Sequence, residues 1–581
     1  MERYYPDPSF MRNEWIDLDG EWEFAFDDED RGLREKWFTR PLPLKIVVPF
    51  AYQSEKSGIG DRSIHSVIWY RREIEIPSFR GREVLLSFNG VDYRASVFVN
   101  GMMAGVHEGG YTPFQIPVSS YLRAGKNTVA LRVEDYHDNA QPRGKQIWTE
   151  KNHGCWYTAS SGIWKDVWLQ ITGRDYIESC RIIPDLNGRM AHFEIDYPNT
   201  FSGKGRLSLE LRYNGEHVNT VTTETERYRQ YVDMHITQPH SVDDVHTWSP
   251  EHPNLYDVVL SLYDENDRLS DTVTTYFGMR DISIRNGQIL LNNRPVYQKL
   301  VLDQGYWEES LLTPPDKESL KEDLEAAMAM GFNGVRKHQK IEDPWFYYYA
   351  DRLGMMVWAE LPSPYCFSTD EIVFVQRDMT ESVKHLYNHP SVITWVPFNE
   401  SWGIRDVLHD RREQEFVKGI YHILKALDPV RLVSANDGWE QPVHDFFAIH
   451  DYDIHDRESY DRTWSDLKKL METRCSKRQI LADCDSYDGA PVILTEFGGV
   501  ALEEQLTGSA WGYRGPAHDR EEYIRRLTTL MDVIYSDQRL SGFCYTQLTD
   551  VQQEVNGLLK PDRTPKCGAE IFRKIFSERE K

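Results

Sequence analysis

The chain is short of most of the features that mark common protein classes. It has no glycine-rich phosphate turn and no Gly-x-Ser-x-Gly elbow, so nothing in it supports a phosphate-binding loop or an α/β-hydrolase serine nucleophile. No low-complexity tract or internal repeat stands out, and no apolar run approaches the length of a membrane span. Met1-Glu2-Arg3-Tyr4-Tyr5-Pro6-Asp7-Pro8 lacks both the basic start and the apolar stretch of a signal peptide, which makes the cytoplasm the expected location. Cysteine is sparse. The seven at Cys155, Cys180, Cys366, Cys475, Cys484, Cys544 and Cys567 are odd in number and show no paired-ligand spacing, the pattern of reduced thiols. Positive charge is also in deficit, with a net charge of −25. Nucleic acid and anionic membranes are polyanions that such a chain repels, so neither is an expected partner. A small neutral substrate fits better.

What the chain does have is length and rings. Its 581 residues exceed what one hydrophobic core holds. The 17 Trp, 32 Tyr and 24 Phe make 13% of it; flat rings bind the apolar faces of sugars and also fill β-sandwich cores, so composition alone does not choose between the two.

Patterning divides the chain into three parts. Residues 1–180 carry short alternating segments such as Trp22 to Phe26, Ile68 to Ile76, Val84 to Phe88, Ala95 to Val99 and Thr128 to Val133, with the hairpin signal Asn100-Gly101 after the fourth, which predicts a β-sandwich. Residues 181–280 repeat the style over the length of one immunoglobulin-like sandwich, with period-two runs at Arg206 to Tyr213, Tyr231 to Ile236 and Tyr256 to Tyr263. From 281 to 581 strand-like and helix-like segments alternate. Eight candidate strands (Tyr297 to Leu302, Gly334 to His338, Met355 to Leu361, Ile393 to Phe398, Arg431 to Ala435, Phe446 to His450, Pro491 to Thr495 and Gly542 to Gln547) are interleaved with amphipathic segments such as Lys317 to Met330, Ile372 to Tyr387, Arg412 to Leu427 and Arg520 to Ile534. Eight strands in this length suit a closed (β/α)8 barrel.

In such a barrel chemistry sits at the C-terminal ends of the strands. The polar residues there are Arg336 and His338, Glu360, Asn399 and Glu400, His450 and Tyr452, Glu496, and Gln547. A single strand-end acid is as ordinary as a helix cap; it is their accumulation that points to a site. Two facing carboxylates are the minimal equipment for cleaving a glycosidic bond, roughly 5 to 5.5 Å apart for retention of configuration and roughly 6.5 to 9.5 Å for inversion. Pro397, Phe398 and Trp402 surround Glu400 with apolar groups that favour its protonated form, whereas Glu496 must be ionised to act as a nucleophile, and Arg336 and Tyr452 are suited to donate to it. His444, His450 and His455 with Asp445, Asp451 and Asp453 form a metal-like cluster on paper, but alternate faces along a strand, so no metal or other cofactor is expected. Ser401 reads as a local hydrogen-bonding residue.

These residues resemble glycoside hydrolase family 2, the group that includes β-galactosidases, β-glucuronidases and β-mannosidases. The resemblance rests on Trp69-Tyr70-Arg71-Arg72, His107 to Phe114 and Ser161 to Leu169; on Trp248-Ser249-Pro250 and Phe277-Gly278-Met279-Arg280; and on Asn333 to His338, Asp351-Arg352-Leu353-Gly354, Asn388 to Ile393, Asn399-Glu400 and Thr495-Glu496-Phe497-Gly498. It implies a sugar-binding-type jelly-roll sandwich, an immunoglobulin-like sandwich and a catalytic barrel that releases a terminal sugar by retaining double displacement. Glu400 is then the general acid/base, Glu496 the nucleophile and Asn399 the ligand of the sugar 2-hydroxyl, with Arg336 and Tyr452 holding the nucleophile and His338 touching the sugar.

Some stretches depart from the family. The Asn-x-Lys that binds the sugar carboxylate in its β-glucuronidases is replaced by Asn556-Gly557-Leu558, with a lysine only at Lys560. Ser401-Trp402-Gly403 does not reproduce the Mg²⁺ ligands of the large galactosidases. Asp303, Glu360, Trp307, Trp402 and Trp439 are candidate pocket residues, the tryptophans equally readable as core. The expectation is a β-galactosidase-like enzyme acting on a small or oligosaccharide glycoside. A glucuronide, mannoside, arabinofuranoside or galactofuranoside specificity stays open, as do a catalytically silent carbohydrate-binding protein and a homo-oligomeric assembly.

Overall fold

The computed structural model describes all residues except 1–3, 238–244, 473, 476–477, 483–486, 514 and 578–581; Cys484 therefore lies outside the described residues. The first unit packs a six-stranded antiparallel sheet against a four-stranded one. Asn100 and Gly101 turn the hairpin between Arg94–Val99 and Met102–Glu108 with φ of 49° and 80°, the positive values that a tight two-residue turn requires and that Asn-Gly accepts. The core of this sandwich is made of inward residues from both sheets, among them Trp22, Phe24, Tyr70, Leu86, Val97 and Leu131. The second unit is a smaller sandwich of three and four strands, closed around Phe193, Leu209, Leu260 and Phe277.

Eight parallel strands form the third unit. In chain order they are Gln298–Asp303, Gly334–Lys337, Met356–Glu360, Val392–Val396, Leu432–Val433, Phe447–His450, Val492–Gly498 and Leu540–Thr546. The first pairs with the last, and the ladder runs through all eight, leaving a seam between the fifth and sixth among the described residues. The interior is packed with Leu300, Leu302, Met356, Trp358, Ile393, Ile493 and Cys544, and the hairpin residues Ile282 and Ile289 join this cluster. Helices Lys317–Ala329, Thr369–Leu386, Arg411–Leu427 and Arg520–Ser536 lie where amphipathic spacing places them. Each begins on a side-chain cap, from Asp316, Ser368, Asp410 and Asp519 respectively, which satisfies amides left open in the first turn. Among the described residues no helix is long and apolar enough to cross a membrane.

The fourth strand, which ends at the site, is anchored at its start by two arginines. Arg280, from the end of the second sandwich, donates to Pro390 O and Val392 O at 2.8 and 2.7 Å. Arg431 donates to Val392 O, Tyr387 O and His389 O and pairs with Asp428 at 2.7 Å, all buried. Arg431→Met removes these donors and strands the Asp428 carboxylate. It is expected to destabilise the barrel by about 3 kcal/mol, measured as a lower urea midpoint by tryptophan fluorescence; an unchanged midpoint contradicts the anchoring.

Candidate active site

The site is built on Arg336, inward-facing on the second strand and fully buried. Its Nε donates to Glu360 Oε2 at 2.9 Å, Nη1 lies 3.0 Å from both Glu496 Oε1 and Asp437 Oδ1, and Nη2 donates to Asn399 Oδ1 at 2.5 Å. One guanidinium thus ties together groups from the ends of the third, fourth and seventh strands and the loop after the fifth. A buried cation is tolerated only when paired in this way.

Glu496 also accepts a hydrogen bond from Tyr452 Oη at 2.7 Å, and the Tyr452 ring stacks on Tyr513 at 3.7 Å. Glu400 stands opposite with 21% of its side chain exposed, against 6% for Glu496. An oxygen of each carboxylate and a ring nitrogen of His450 lie within 4.8 Å of one another. Glu400 and Ser401 have φ of 51° and 57°, an uncommon conformation for non-glycine residues. It is stabilised by Glu400 N–H donating to Asp437 O at 2.9 Å and Ser401 N–H to Asn436 Oδ1 at 3.1 Å. Ser401 Oγ donates to Glu440 at 2.7 Å.

Protonation at the site differs from the sequence expectation. Burial does push the Glu400 carboxyl up, but the hydrogen bond and charge of His450 outweigh it and hold Glu400 below the usual range. Burial raises Glu496, and the positive charges of His450 and Arg336 only partly offset this. His450 explains the reversal. Its Nδ1 is 2.9 Å from Glu400 Oε1 and its Nε2 is 2.8 Å from Asp437 Oδ1. Burial disfavours the imidazolium, but the charge of Glu496 and the bonds to Asp437 and Glu400 win, pushing the ring up to about 9.

The other expected residues fall into two groups. His338 Nδ1 lies 2.9 Å from Glu360 Oε2, and burial together with the charges of Lys145 and Arg336 keeps the ring neutral. Among the described residues Asn399 Nδ2 is buried with no partner, an orphan donor of the kind a ligand satisfies. Trp402 packs against Trp156, Tyr365 and His338, and Trp439 lies edge-on to His450 at 5.4 Å, its Nε1 unpaired among the described residues. Glu360 is spent on Arg336, His338 and Gln339, so it orients ligands of the site. Asp303 needs correction as a sugar contact. It pairs in register with Lys337, while the neighbouring Leu302 pairs with inward-facing Arg336. Strand alternation therefore turns Asp303 outward, where it binds Lys337 Nζ at 2.5 Å. Trp307 packs in the same outer core and carries Arg563 on its face at 4.9 Å. The histidine–aspartate cluster is dispersed: His444 pairs with Asp488, Asp445 with Lys425, and Asp451 accepts from Trp464. Among the described residues the group spaced to share an ion is Glu400, His450 and Glu496, and Arg336 already supplies a cation there.

Family profiles match the whole of this architecture. "Glycosyl hydrolases family 2, sugar binding domain" covers residues 16–172, "Glycosyl hydrolases family 2" residues 175–280, and "Glycosyl hydrolases family 2, TIM barrel domain" residues 282–580. The chain belongs to glycosyl hydrolases family 2. A β-galactosidase of Thermoanaerobacter pseudethanolicus is 28% identical over 60% of this chain and 46% of its own length. The chain thus spans about half of that relative. A β-glucuronidase of Paenibacillus borealis is 22% identical with 98% of both chains covered. Among solved structures, a β-glucuronidase from Ruminococcus gnavus superposes with a TM-score of 0.78 at 21% identity over 99% of both chains. A β-galacturonidase from Eisenbergiella tayi gives 0.73 at 20% identity over 98% of this chain and 97% of its own. At these identities the solved structures speak to the fold.

Within this family 2 barrel, one wall of the site comes from the first sandwich, which the sequence reading missed. Tyr157 Oη donates to Glu554 Oε2 at 2.5 Å, Gln553 Nε2 donates to Gly154 O and Trp156 O at 2.9 Å each, and Trp511 Nε1 donates to Gly154 O at 2.9 Å. The charge of Lys145 acts on Glu554, Glu496 and Glu400. These contacts join residues about 400 positions apart, so no local motif announces them. Of this loop the sequence singled out Trp439 and not Asp437, two residues before it.

The His450 charge has a pH signature. A ring raised above its unfolded value stabilises the fold fully below the ordinary histidine range and loses that contribution as pH rises through about 9. Asp437→Asn removes one of the anions responsible. The alkaline limb of activity is therefore expected to lie near 9 in the wild type and to move toward neutrality in the variant, read from pH–rate profiles; coincident limbs contradict the assignment.

Proposed function

We propose that the protein is an exo-acting retaining glycosidase that releases a terminal neutral sugar, β-galactosidase-like, through a covalent glycosyl-enzyme. The carrying observation is the approach of Glu400 and Glu496 oxygens to within 4.8 Å. That spacing leaves room for an anomeric carbon but not for a water on the far face, as inversion would require. Glu496, fixed by Arg336 and Tyr452, attacks the anomeric carbon while the leaving oxygen takes a proton from Glu400. Glu400 then removes a proton from water as that water opens the ester. The proton for departure is stored one hydrogen bond away: His450 Nδ1–H passes it to Glu400 Oε1, and Asp437 steadies the ring from the other side. The docked sandwich loop closes one flank of the site, which favours a terminal sugar over an internal one.

The charge balance favours a neutral ring. Burial already raises the carboxyls of Glu360, Glu496 and Glu554, so a further carboxylate on the sugar would be disfavoured among them. Asn556 is also committed elsewhere, in a buried chain running from Gln304 through Gln547 and Asn556 to Glu554 and Tyr157. Leu558, at the position of the uronidase lysine, is fully buried in the core. A uronide is the second reading, favoured by the names of several relatives and by the cation Lys145.

The test is a panel of chromogenic β-galactoside, β-glucoside, β-mannoside, β-glucuronide, β-galacturonide, α-L-arabinofuranoside and β-D-galactofuranoside substrates. A neutral pyranoside is expected to turn over best, and Glu496→Gln to lower kcat by about ten-thousandfold or more. A 2-deoxy-2-fluoro analogue of the preferred sugar should label Glu496 by mass spectrometry. A uronide as best substrate selects the second reading. Sugar binding without turnover of any glycoside makes this a binding protein instead.

A further inference from the structure

Among the described residues Lys145 is a charged side chain with no ion-pair partner, in a place where an unpaired charge is costly. The residue is 6% exposed. Its Nζ sits 4.8 Å from the centre of the Trp402 ring, directly after the strand end that carries Glu400. Among the described residues no carboxylate reaches it within 4.0 Å. From its own loop the Cys155 thiol, a weak acceptor, faces it. The Trp402 ring beneath it packs 6.3 Å from His338 and follows Glu400 by two residues, and Tyr157 of the same loop donates to Glu554 Oε2 at 2.5 Å. The ammonium therefore lies on the wall of the site, where its charge also acts on Glu554, Glu496 and Glu400. An ammonium held this way has hydrogen-bond capacity left for a ligand oxygen.

The placement is built. Gly144 has φ +62°, and a Cβ there would meet Gln339 O at 2.2 Å, so only glycine lets this loop lie against the barrel. Arg143 and Gly144 N–H both donate to Ser363 O at 3.1 Å, and Tyr365 Oη donates to Gly144 O. On the other side Lys145 O accepts from Tyr157 N–H at 2.7 Å. The Arg143 guanidinium is buried on Asp135, Gln141 and His137, and the Gln146 side chain is held by Asp92, Tyr111 and Ser160. With its backbone fixed on both sides, Lys145 loses little further entropy on meeting a ligand.

We infer that Lys145, delivered by the first sandwich across the domain boundary, is a specificity residue that donates a hydrogen bond to one ring hydroxyl of the sugar lying between Glu400 and Glu496. Glu554 is the matching acceptor on the same wall, held by Tyr157 and Asn556. A donor-only cation beside an acceptor is suited to two neighbouring hydroxyls. This rests on the glycosidase reading given above and adds the group that reads the sugar.

The experiment measures kcat/KM of wild type, Lys145→Met and Lys145→Arg on the preferred glycoside and on its 2-, 3-, 4- and 6-deoxy analogues, with melting curves to confirm that each variant is folded. Lys145→Met is expected to lose about 10- to 100-fold on the parent sugar, the range for a charged hydrogen bond. It should lose almost nothing on the one deoxy analogue that lacks the contacted hydroxyl, while the other analogues keep the full loss and Lys145→Arg recovers part of it. An equal loss on every analogue overturns the assignment, since a structural or purely electrostatic role is indifferent to which hydroxyl is missing. A loss confined to uronides also overturns it, placing the ammonium on a carboxylate. A wild type inactive on all glycosides overturns the functional reading as well, whereas an active wild type without this coupling overturns the Lys145 assignment alone.

Discussion

A buried guanidinium is the constraint on which this molecule turns. Removing Arg336 from water costs several kcal/mol, and only the convergence of Glu360, Asp437, Glu496 and the Asn399 amide offsets that. Convergence in turn demands that the strand ends bearing these residues stay in register. The barrel supplies this through a parallel ladder across the second, third and fourth strands, with one register shift between Val357 and Trp358. The same cation that holds the strand ends together fixes one oxygen of Glu496, so fold and chemistry share a single device.

The pair of glutamates is then differentiated by what else touches them. Glu496 is nearly enclosed and accepts from Arg336 and Tyr452, which fix its orientation. Glu400 is more open and leans on His450, whose own charge depends on Asp437. In the mechanism we propose, the acid/base role belongs to a relay of Glu400, His450 and Asp437 rather than to one desolvated carboxyl. The first sandwich supplies one wall of the site from outside the barrel, and in the reading we propose the fixed loop around Lys145 makes that domain a participant in recognition.

Much of this was legible in the chain. Apolar runs ending in acids gave the fourth and seventh strands because strands buried on both faces are written that way. The expected Ile393 to Phe398 and Pro491 to Thr495 correspond to Val392–Val396 and Val492–Gly498. Helix Pro344–Leu353 escaped notice because its run of Trp, Phe and Tyr hides helical spacing under aromatic content. Asp303 was misplaced because strand period two decides inward from outward, and a one-residue shift reverses it. The protonation of Glu400 was not readable because His450, 50 residues away, arrives only through the closure of the barrel. Lys145 lay further out of reach, in a sandwich loop with no motif of its own.

The central claim is that two facing carboxylates perform a double displacement. The most direct measurement is the configuration of the sugar first released, followed by proton NMR before mutarotation. The account predicts the same anomer as in the substrate; first release of the opposite anomer contradicts it.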